Sequence, residues 1–208
     1  GGKKLAMILE KIVEAAKPGV STMDLDRLAE GLIFASGGKP SFKGYKIREA
    51  SVPYPASLCV SVNDEVVHAI PRSDRILQEG DVVGLDIGMA WPSQEFRIKN
   101  LEFRNSRSMF TDMAVTVGVG KVSSGAERLI RATKEALDNG IRAVKLGAHV
   151  GDISFSIQEH LEKYKLGIIR DLAGHGVGYA LHEEPLIPNF GKPGTGPELK
   201  EGMVLAVE

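Results

Sequence analysis

A short turn that occurs twice in the chain decides the fold. Residues 17–25 read KPGVSTMDL, and 128 residues later residues 145–153 read KLGAHVGDI, so that a Lys, a Gly, an Asp and an aliphatic residue coincide. Each copy lies between two stretches whose apolar residues recur at helical spacing. The repeat predicts two similar halves, each a helix, a glycine turn, a capped helix and then strands. We therefore expect one α+β domain, a pseudo-two-fold duplication of a helix pair that covers a mostly antiparallel sheet.

The helices of this pattern have recognisable ends. Apolar residues at steps of three and four predict a first helix that Pro18 and Gly19 terminate, and a second begins at Ser21 with a capping-box-like pattern and ends before Gly37. In the second half, the same spacing predicts helices over residues 126–146 and 152–164.

The strand predictions rest on β-prone and apolar runs. Residues 57–62 and 65–68 flank the polar pair Asn63 and Asp64, which predicts a β-hairpin. Apolar runs predict further strands over residues 81–89, 110–119, 168–173 and 203–208.

Composition excludes several classes of protein. The 208 residues are 43% hydrophobic and 25% charged, with a net charge of -1, as in an ordinary globular protein that lacks an electrostatic surface for nucleic acid or anionic lipid. No apolar stretch approaches the ~18 residues of a membrane span, and no secretory leader is recognisable. Cys59 is the single cysteine, so no internal disulfide can form. We therefore expect a cytoplasmic protein that binds neither membranes nor nucleic acid.

Three acidic residues interrupt predicted core strands. Asp86, Asp112 and Glu208 each lie within or at the end of an apolar run. An unpaired buried carboxylate costs several kcal/mol, so each needs a cation, a metal ion or a proton. A single such acid is commonly an outward-facing or Arg-paired residue, but three together favour a metal site.

A histidine lies in a glycine-rich segment between the second and the third of these acids. His175 is flanked by Gly174 and Gly176, which leave room for a ligand beside the imidazole. The neighbouring segment is not a His-Glu-x-x-His zinc helix, because Leu186 stands four residues after His182, nor a dinucleotide-binding turn, because no helix follows. Three carboxylates and an imidazole suit divalent Mn, Co, Fe or Zn.

Several motifs in a fixed order extend these signals to the whole chain. They are KPSFKGY at 39–45, PASLC at 55–59, HAIP at 68–71, LDIG at 85–88, TDMA at 111–114, GHGVG at 174–178, HEEP at 182–185 and GKPGTGP at 191–197. This order closely resembles type I methionine aminopeptidase. The resemblance implies the pita-bread fold in a single metallopeptidase catalytic domain over residues 1–208, which agrees with the repeat.

The resemblance also implies roles for individual residues. Asp86 and Asp112 match two aspartate ligands of a dinuclear metal centre, with Asp112 bridging, and His175 and Glu208 match ligands of the second ion. His68 and His182 match two histidines that hold the substrate and the tetrahedral intermediate without binding metal. The positions around the pocket for the methionine side chain are matched by Tyr54, Cys59 and Leu181.

The implied reaction is hydrolysis of the first peptide bond of a nascent protein, which releases Met when the next residue is small. Two divalent ions would lower the pKa of a shared water from ~15.7 toward neutral and anchor the α-amine. The implied partners are nascent polypeptide N-termini at the ribosome, and we expect a monomer.

The chain departs from the family pattern in three places. It begins inside the first helix, and it stops at Glu208, before the last strands and the final bridging glutamate of the family. We therefore expect these 208 residues alone to be inactive and to aggregate through an unpaired edge. Between Asp86 and Asp112 lie 25 residues, more than the family usually has, and residues 91–108 are expected to form an extended hairpin loop.

Two other functions remain open at this point. Proline-specific aminopeptidases and dipeptidases share the fold and the metal ligands, although the context of Cys59 and the absence of an additional N-terminal domain argue against them. A non-catalytic pita-bread module that binds partners is the other alternative. Hydrolysis of Met-Ala compared with Xaa-Pro peptides would distinguish them.

Overall fold

The computed structural model describes residues 1–46 and 51–208, which form two units. The first unit comprises residues 1–123 and 179–181, and the second comprises residues 124–178 and 182–208. The first unit contains α1 (Gly2–Ala15), α2 (Thr22–Ala35), β1 (Lys39–Pro40), β2 (Leu58–Val62), β3 (Val82–Trp91), α3 (Gln94–Lys99), a 3-10 turn (Leu101–Phe103) and β4 (Met109–Gly118). The second contains α4 (Ser124–Ala143), α5 (Val150–Lys163), β5 (Ala173–Gly176), β6 (Glu183–Pro188) and β7 (Leu205–Ala206).

The two helix pairs form where the repeated turn predicts them. Ser21 is the N-cap of α2, and its hydroxyl accepts the Asp24 amide at 3.1 Å. In the second unit, His149 is the N-cap of α5, and its amide donates to the Asp152 carboxylate at 2.7 Å. Gly19 and Gly147 have φ of 90° and 80°, values that an L side chain rarely adopts. Both copies therefore place a glycine with positive φ before a helix whose N-cap and N3 residues are hydrogen-bonded to each other, and the duplication is confirmed.

The helices bury the apolar faces that their spacing predicts. In the first unit, Leu5 and Ile12 of α1 and Leu25 and Ile33 of α2 are almost fully buried in one apolar core with β2 and β3. In the second unit, Ile153 and Ile157 of α5 pack with Ile187 of β6. Each unit thus has its own core between a helix pair and a sheet.

Strand β3 is the centre of the sheet in the first unit. Its whole length pairs antiparallel with β4, from Val82 opposite Gly118 to Trp91 opposite Met109. Its other edge pairs with two shorter strands in succession, β2 from Leu58 opposite Ile87 and β1 from Lys39 opposite Ala90. A residue on β3 therefore has cross-strand neighbours from two directions.

The predicted hairpin of residues 57–62 and 65–68 is wrong, because residues 65–68 form no strand. The outer edge of β2 is covered in another way. The amide of Leu58 donates to the Asp26 carboxylate at 2.9 Å, that of Val60 to the Ala69 carbonyl at 3.2 Å, and that of Val62 to a Glu65 carboxylate oxygen at 2.7 Å. Side chains and a loop therefore satisfy the donors that a hairpin partner would have taken.

The segment over residues 91–108 connects the antiparallel strands β3 and β4, as predicted for an extended hairpin loop, but it contains α3 and the 3-10 turn. Ser93 caps α3 by accepting the Phe96 amide at 3.1 Å. The rings of Trp91, Phe96 and Phe103 pack together with centroids 5.3–6.0 Å apart, and the Trp91 indole donates to the Ser36 carbonyl at 3.0 Å. An aromatic cluster thus gives this segment a fixed structure on the first unit.

The sheet of the second unit corrects two strand predictions and contains one strand that was not predicted. A strand over residues 168–173 is wrong, because β5 begins only at Ala173 and carries His175. The apolar run 203–208 contributes only the two residues of β7. Strand β6 was not predicted, because its Pro185 is a residue that strands disfavour. In this sheet β5 lies between β6 and β7, with a register shift at His175 and Gly176. Among the described residues, the helices are too short or too polar to cross a bilayer.

Candidate active site

In the first unit, both predicted aspartate ligands lie on one face of the sheet. Asp86 of β3 is opposite Ala114 of β4, and Asp112 of β4 is opposite Gly88 of β3. Because side chains alternate along a strand, Asp86 and Asp112 are diagonal neighbours on the same face. The apolar runs around them suggested full burial, but both side chains are half-buried. Two carboxylates in this arrangement are an oxygen-rich donor set for a hard divalent ion.

Cys59 extends the same face by one more strand. It lies on β2 directly opposite Asp86 and is 4% exposed. Burial raises the pKa of the Cys59 thiol to about 12, and the carboxylate of Asp86 acts in the same direction. The thiol is therefore protonated near neutral pH, and it is a small soft apolar surface rather than a nucleophile.

Cys59 is part of an apolar cluster beside the two aspartates. Phe42 and Leu181 are buried against it, and Tyr45, Tyr54 and Phe110 pack around these three residues. Gly88, the residue opposite Asp112, makes room for this cluster, since a Cβ there would come within 2.6 Å of the Phe42 ring. The strand positions that carry the aspartates therefore also shape this apolar and aromatic cluster.

Tyr54 connects this cluster with the segment that carries His68. Its hydroxyl donates to the Ala69 carbonyl at 3.0 Å and lies 3.3 Å from the Leu58 carbonyl. Burial raises the pKa of the Tyr54 phenol, so that the donor proton stays in place. His68 is exposed and has φ of 56°, a left-handed conformation that non-glycine residues adopt at a cost.

In the second unit, the predicted ligands His175 and Glu208 are in direct contact. His175 is 5% exposed, and its Nε2 lies 3.2 Å from Oε1 of Glu208, whose side chain is about half exposed, not in the core as expected. Nδ1 lies 2.8 Å from the carbonyl oxygen of Gly176, which assigns the ring proton to Nδ1. The lone pair of Nε2 then faces a carboxylate oxygen, and the two need a cation or a proton between them. An imidazole and a carboxylate so arranged fit a divalent metal ion.

The flanking glycines let backbone approach His175 on both sides. A Cβ on Gly174 would collide with the Ala206 carbonyl and come within 3.1 Å of the Glu208 amide nitrogen. A Cβ on Gly176 would collide with the Glu184 carbonyl. The glycines therefore admit Glu208 and the start of β6, and they are needed for the neighbouring chain rather than only for a ligand.

His182 also lies beside His175, with ring centroids 4.4 Å apart and planes at 68°. It is exposed, whereas His175 is buried. This edge-on arrangement leaves His182 accessible to a substrate next to the imidazole that fits a metal ion.

Comparisons with known proteins show the family of this chain. The sequence profile described as "Metallopeptidase family M24" matches residues 2–96 and 101–208, and the chain is a metallopeptidase of that family. The methionine aminopeptidase of Clostridium acetobutylicum is 42% identical over 207 residues, which are 100% of this chain and 74% of the relative. The crystal structure of methionine aminopeptidase from Thermotoga maritima superposes with a TM-score of 0.86 at 38% identity, covering 99% of this chain and 74% of that one. The chain belongs to the type I methionine aminopeptidases.

A more distant structure shares only the fold. The Xaa-Pro dipeptidase from Bacillus anthracis has a TM-score of 0.75 at 20% identity and covers 99% of this chain and 50% of that one. The pita-bread fold that the resemblance implies is confirmed, and the relatives above confirm the resemblance itself.

Sequence reasoning missed Asp26, Phe42 and Phe110. Phe42 and Phe110 belong to the apolar cluster, and Asp26 of α2 is a 6% exposed carboxylate that accepts two amides at the start of β2. Asp26 stands three residues before Ala29 and seven before Ile33, both buried. A carboxylate on the apolar face of a helix was therefore a signal in the sequence.

Proposed function

We propose that this enzyme removes the N-terminal methionine from proteins whose second residue is small. The observation that carries the proposal is the shared face of β2, β3 and β4, on which the apolar cluster around Cys59 adjoins Asp86 and Asp112. A methionine side chain is unbranched and polarisable, and it makes favourable contacts with aromatic rings. A pocket lined by Tyr54, Cys59 and Leu181 therefore suits a methionine whose scissile bond lies beside the carboxylates.

The metal set that we propose consists of Asp86, Asp112, His175 and Glu208. Asp112 would contact both ions, and His175 and Glu208 would hold the second. Two divalent ions, of Mn, Co, Fe or Zn, would supply Lewis acidity that makes water nucleophilic near neutral pH. The proton on Nδ1 of His175 supports this assignment, because a metal-binding imidazole commonly donates its other N–H to a fixed acceptor.

His68 and His182 would act on the peptide rather than on the metal. Both are exposed, so an imidazole can donate a proton or a hydrogen bond to the scissile amide as charge develops. The left-handed backbone of His68 supports this role, because strained backbone is concentrated at functional sites.

The partners follow from the reaction. Free N-terminal methionine followed by a small residue occurs on nascent chains, so the substrate would be met in the cytoplasm at the ribosome. We propose a monomer with a single catalytic domain over residues 1–208, without membrane or nucleic-acid binding.

Hydrolysis of matched peptides tests the function. With the protein extended by its native sequence downstream of residue 208, we expect release of Met from Met-Ala-Ser, loss of that release after treatment with a chelator, and recovery with Mn, Co or Fe. Ala-Pro-Ser, which a proline-specific enzyme would cleave, is the control peptide. Full activity after rigorous metal removal, or preference for the proline peptide, would contradict the proposal.

A further inference from the structure

We infer that Asp26, a residue outside the pocket, is a positioning residue for the methionine pocket. Asp26 lies on α2, and its Oδ1 accepts the amides of Ser57 at 2.8 Å and Leu58 at 2.9 Å. Ser57 and Leu58 are fully buried and stand immediately before Cys59. The inference rests on the proposed function for the identity of the pocket, but not for the contacts that define it.

The Asp26 carboxylate is the acceptor that the structure gives both amides. Leu58 donates from the edge of β2 that faces away from β3, as Val60 and Val62 do from the same edge. A buried backbone donor without an acceptor is strongly unfavourable. Here a single carboxylate oxygen accepts two such donors at the start of β2. Asp26 thereby determines where β2 begins relative to α2.

The effect of this contact extends to two residues of the pocket. The Leu58 carbonyl faces the Tyr54 hydroxyl at 3.3 Å, and the next residue is Cys59. Tyr54 and Cys59 therefore both depend on the peptide units that Asp26 holds. The ring of Tyr54 and the thiol are packed in one cluster, so a shift of the Leu58 peptide would displace both walls together.

The charged neighbours of Asp26 contribute to the same support. Glu30 lies one turn further along α2 and binds Lys43 with an Nζ to Oε1 distance of 2.7 Å. Lys43 follows Phe42, another buried member of the cluster. One face of α2 thus fixes the strand with Cys59 through Asp26 and the loop with Phe42 through Glu30.

Cys59 gives a direct readout, because it is the only cysteine of the chain. The rate of its modification by N-ethylmaleimide reports the exposure of the pocket wall, and protection by L-methionine reports occupation of the pocket. All variants are compared at one pH and at the same Mn(II) concentration. L-alanine is the control ligand, since it lacks the side chain that would fill the pocket.

The expected result separates Asp26→Ala from two controls. Asp26→Ala leaves two buried amides unsatisfied, so we expect modification to accelerate about tenfold or more and methionine protection to weaken about tenfold. Asp26→Asn keeps an acceptor oxygen and should stay within about twofold of wild type. Asp24→Ala, which removes the Ser21 contact of the same helix without reaching β2, should also stay within about twofold.

Three outcomes would overturn or redirect the inference. An unchanged rate in Asp26→Ala, or equal acceleration in Asp24→Ala, would show that Asp26 does not position the pocket. If methionine fails to protect wild-type Cys59 while the variants still differ as expected, the positioning role stands and the proposed function fails. If Asp26→Ala does not fold, Asp26→Ser replaces it, since its shorter side chain keeps a polar atom that cannot span the distance to β2.

Discussion

Nε2 of the buried His175 lies 3.2 Å from a carboxylate oxygen of Glu208, although 32 residues separate the two in the chain. The contact depends on Gly174, whose missing side chain admits the backbone of Glu208. A backbone carbonyl orients the imidazole so that its lone pair faces the carboxylate. The imidazole and the carboxylate therefore present their donor atoms to one point, an arrangement that fits a cation.

The first prediction concerns this pair. Because Nε2 and the carboxylate are the donors, His175→Ala and Glu208→Gln should each weaken Co(II) binding by about a hundredfold or more, which exceeds the effect of removing a supporting residue. Titration of the visible Co(II) absorption checks it. His160→Ala is the control, since His160 is bound to Glu135 and Asn139 on the helix pair. Unchanged titrations in both ligand variants would contradict the assignment.

Asp112 is predicted to matter more than the acids that follow His182. A carboxylate that contacts two ions affects both when it is lost, so Asp112→Asn should abolish metal uptake and Met release. Glu183→Gln and Glu184→Gln should retain most activity, since both residues begin β6. Metal content by elemental analysis and Met-Ala-Ser hydrolysis are measured together. A mild Asp112→Asn beside a severe Glu183→Gln would reverse the assignment.

The two exposed histidines should show a different signature. Groups that act on the transition state lower turnover without emptying the metal site, so His68→Ala and His182→Ala should each reduce kcat by about 10²–10⁴. Metal stoichiometry should stay near that of the wild-type enzyme. If either variant loses its metal, that histidine is a ligand.

The sequence predicted the parts of the fold that depend on local chemistry. The turn glycines, the Ser21 cap and the apolar helix faces are recognisable because each is determined by residues a few positions apart. The hairpin at Asn63 was wrong because Asp26 and Glu65 satisfy donors of β2, and Asp26 lies 32 residues from Leu58 in the chain. Strand β5 was placed too early because its Gly-His-Gly core has low strand propensity and pairs only through tertiary contacts.

The candidate site was predictable in its residues but not in its arrangement. Acidic residues within apolar runs marked Asp86 and Asp112, whereas their common face follows from the pairing of Gly88 with Asp112. The role of Cys59 came from the resemblance, because its residue type alone indicates only a small core residue. Asp26 could be recognised as a carboxylate on an apolar helix face, but its contact with β2 is evident only from the position of that strand.

The helical segment between the two aspartates gives a prediction about stability. Gly37 has φ of 82°, and a Cβ there would come within 2.7 Å of the Phe96 ring of α3. Gly37→Ala should therefore cost the backbone strain of about 1–2 kcal/mol and a further 1–3 kcal/mol, roughly, for the collision. Gly19→Ala is the matched control, since Gly19 has φ of 90° with open space around it. Chemical denaturation of both variants gives the difference, and equal losses would mean that α3 does not pack on Gly37.

The last prediction uses the titration of Asp26. Burial raises the pKa of Asp26 above its ordinary value of 3.8, and Glu30 acts in the same direction, whereas Lys43 and the Ser57 and Leu58 amides oppose it. The native state therefore holds this proton more tightly than the unfolded chain does. Its contribution to stability is fully present below pH 3.8 and is lost as pH rises through the folded-state pKa.

Asp26→Asn keeps the acceptor oxygen and does not titrate, so the two proteins should respond differently to pH. The free energy of unfolding of Asp26→Asn relative to wild type should increase as the pH rises above 3.8, and it should level off once Asp26 is ionised in both states. Urea denaturation at constant ionic strength measures the difference. Asp24→Asn, which replaces an exposed carboxylate on the same helix, is the control for a change in net charge. A difference that stays constant with pH, or that falls as pH rises, would show that the Asp26 carboxylate is not destabilised by its burial.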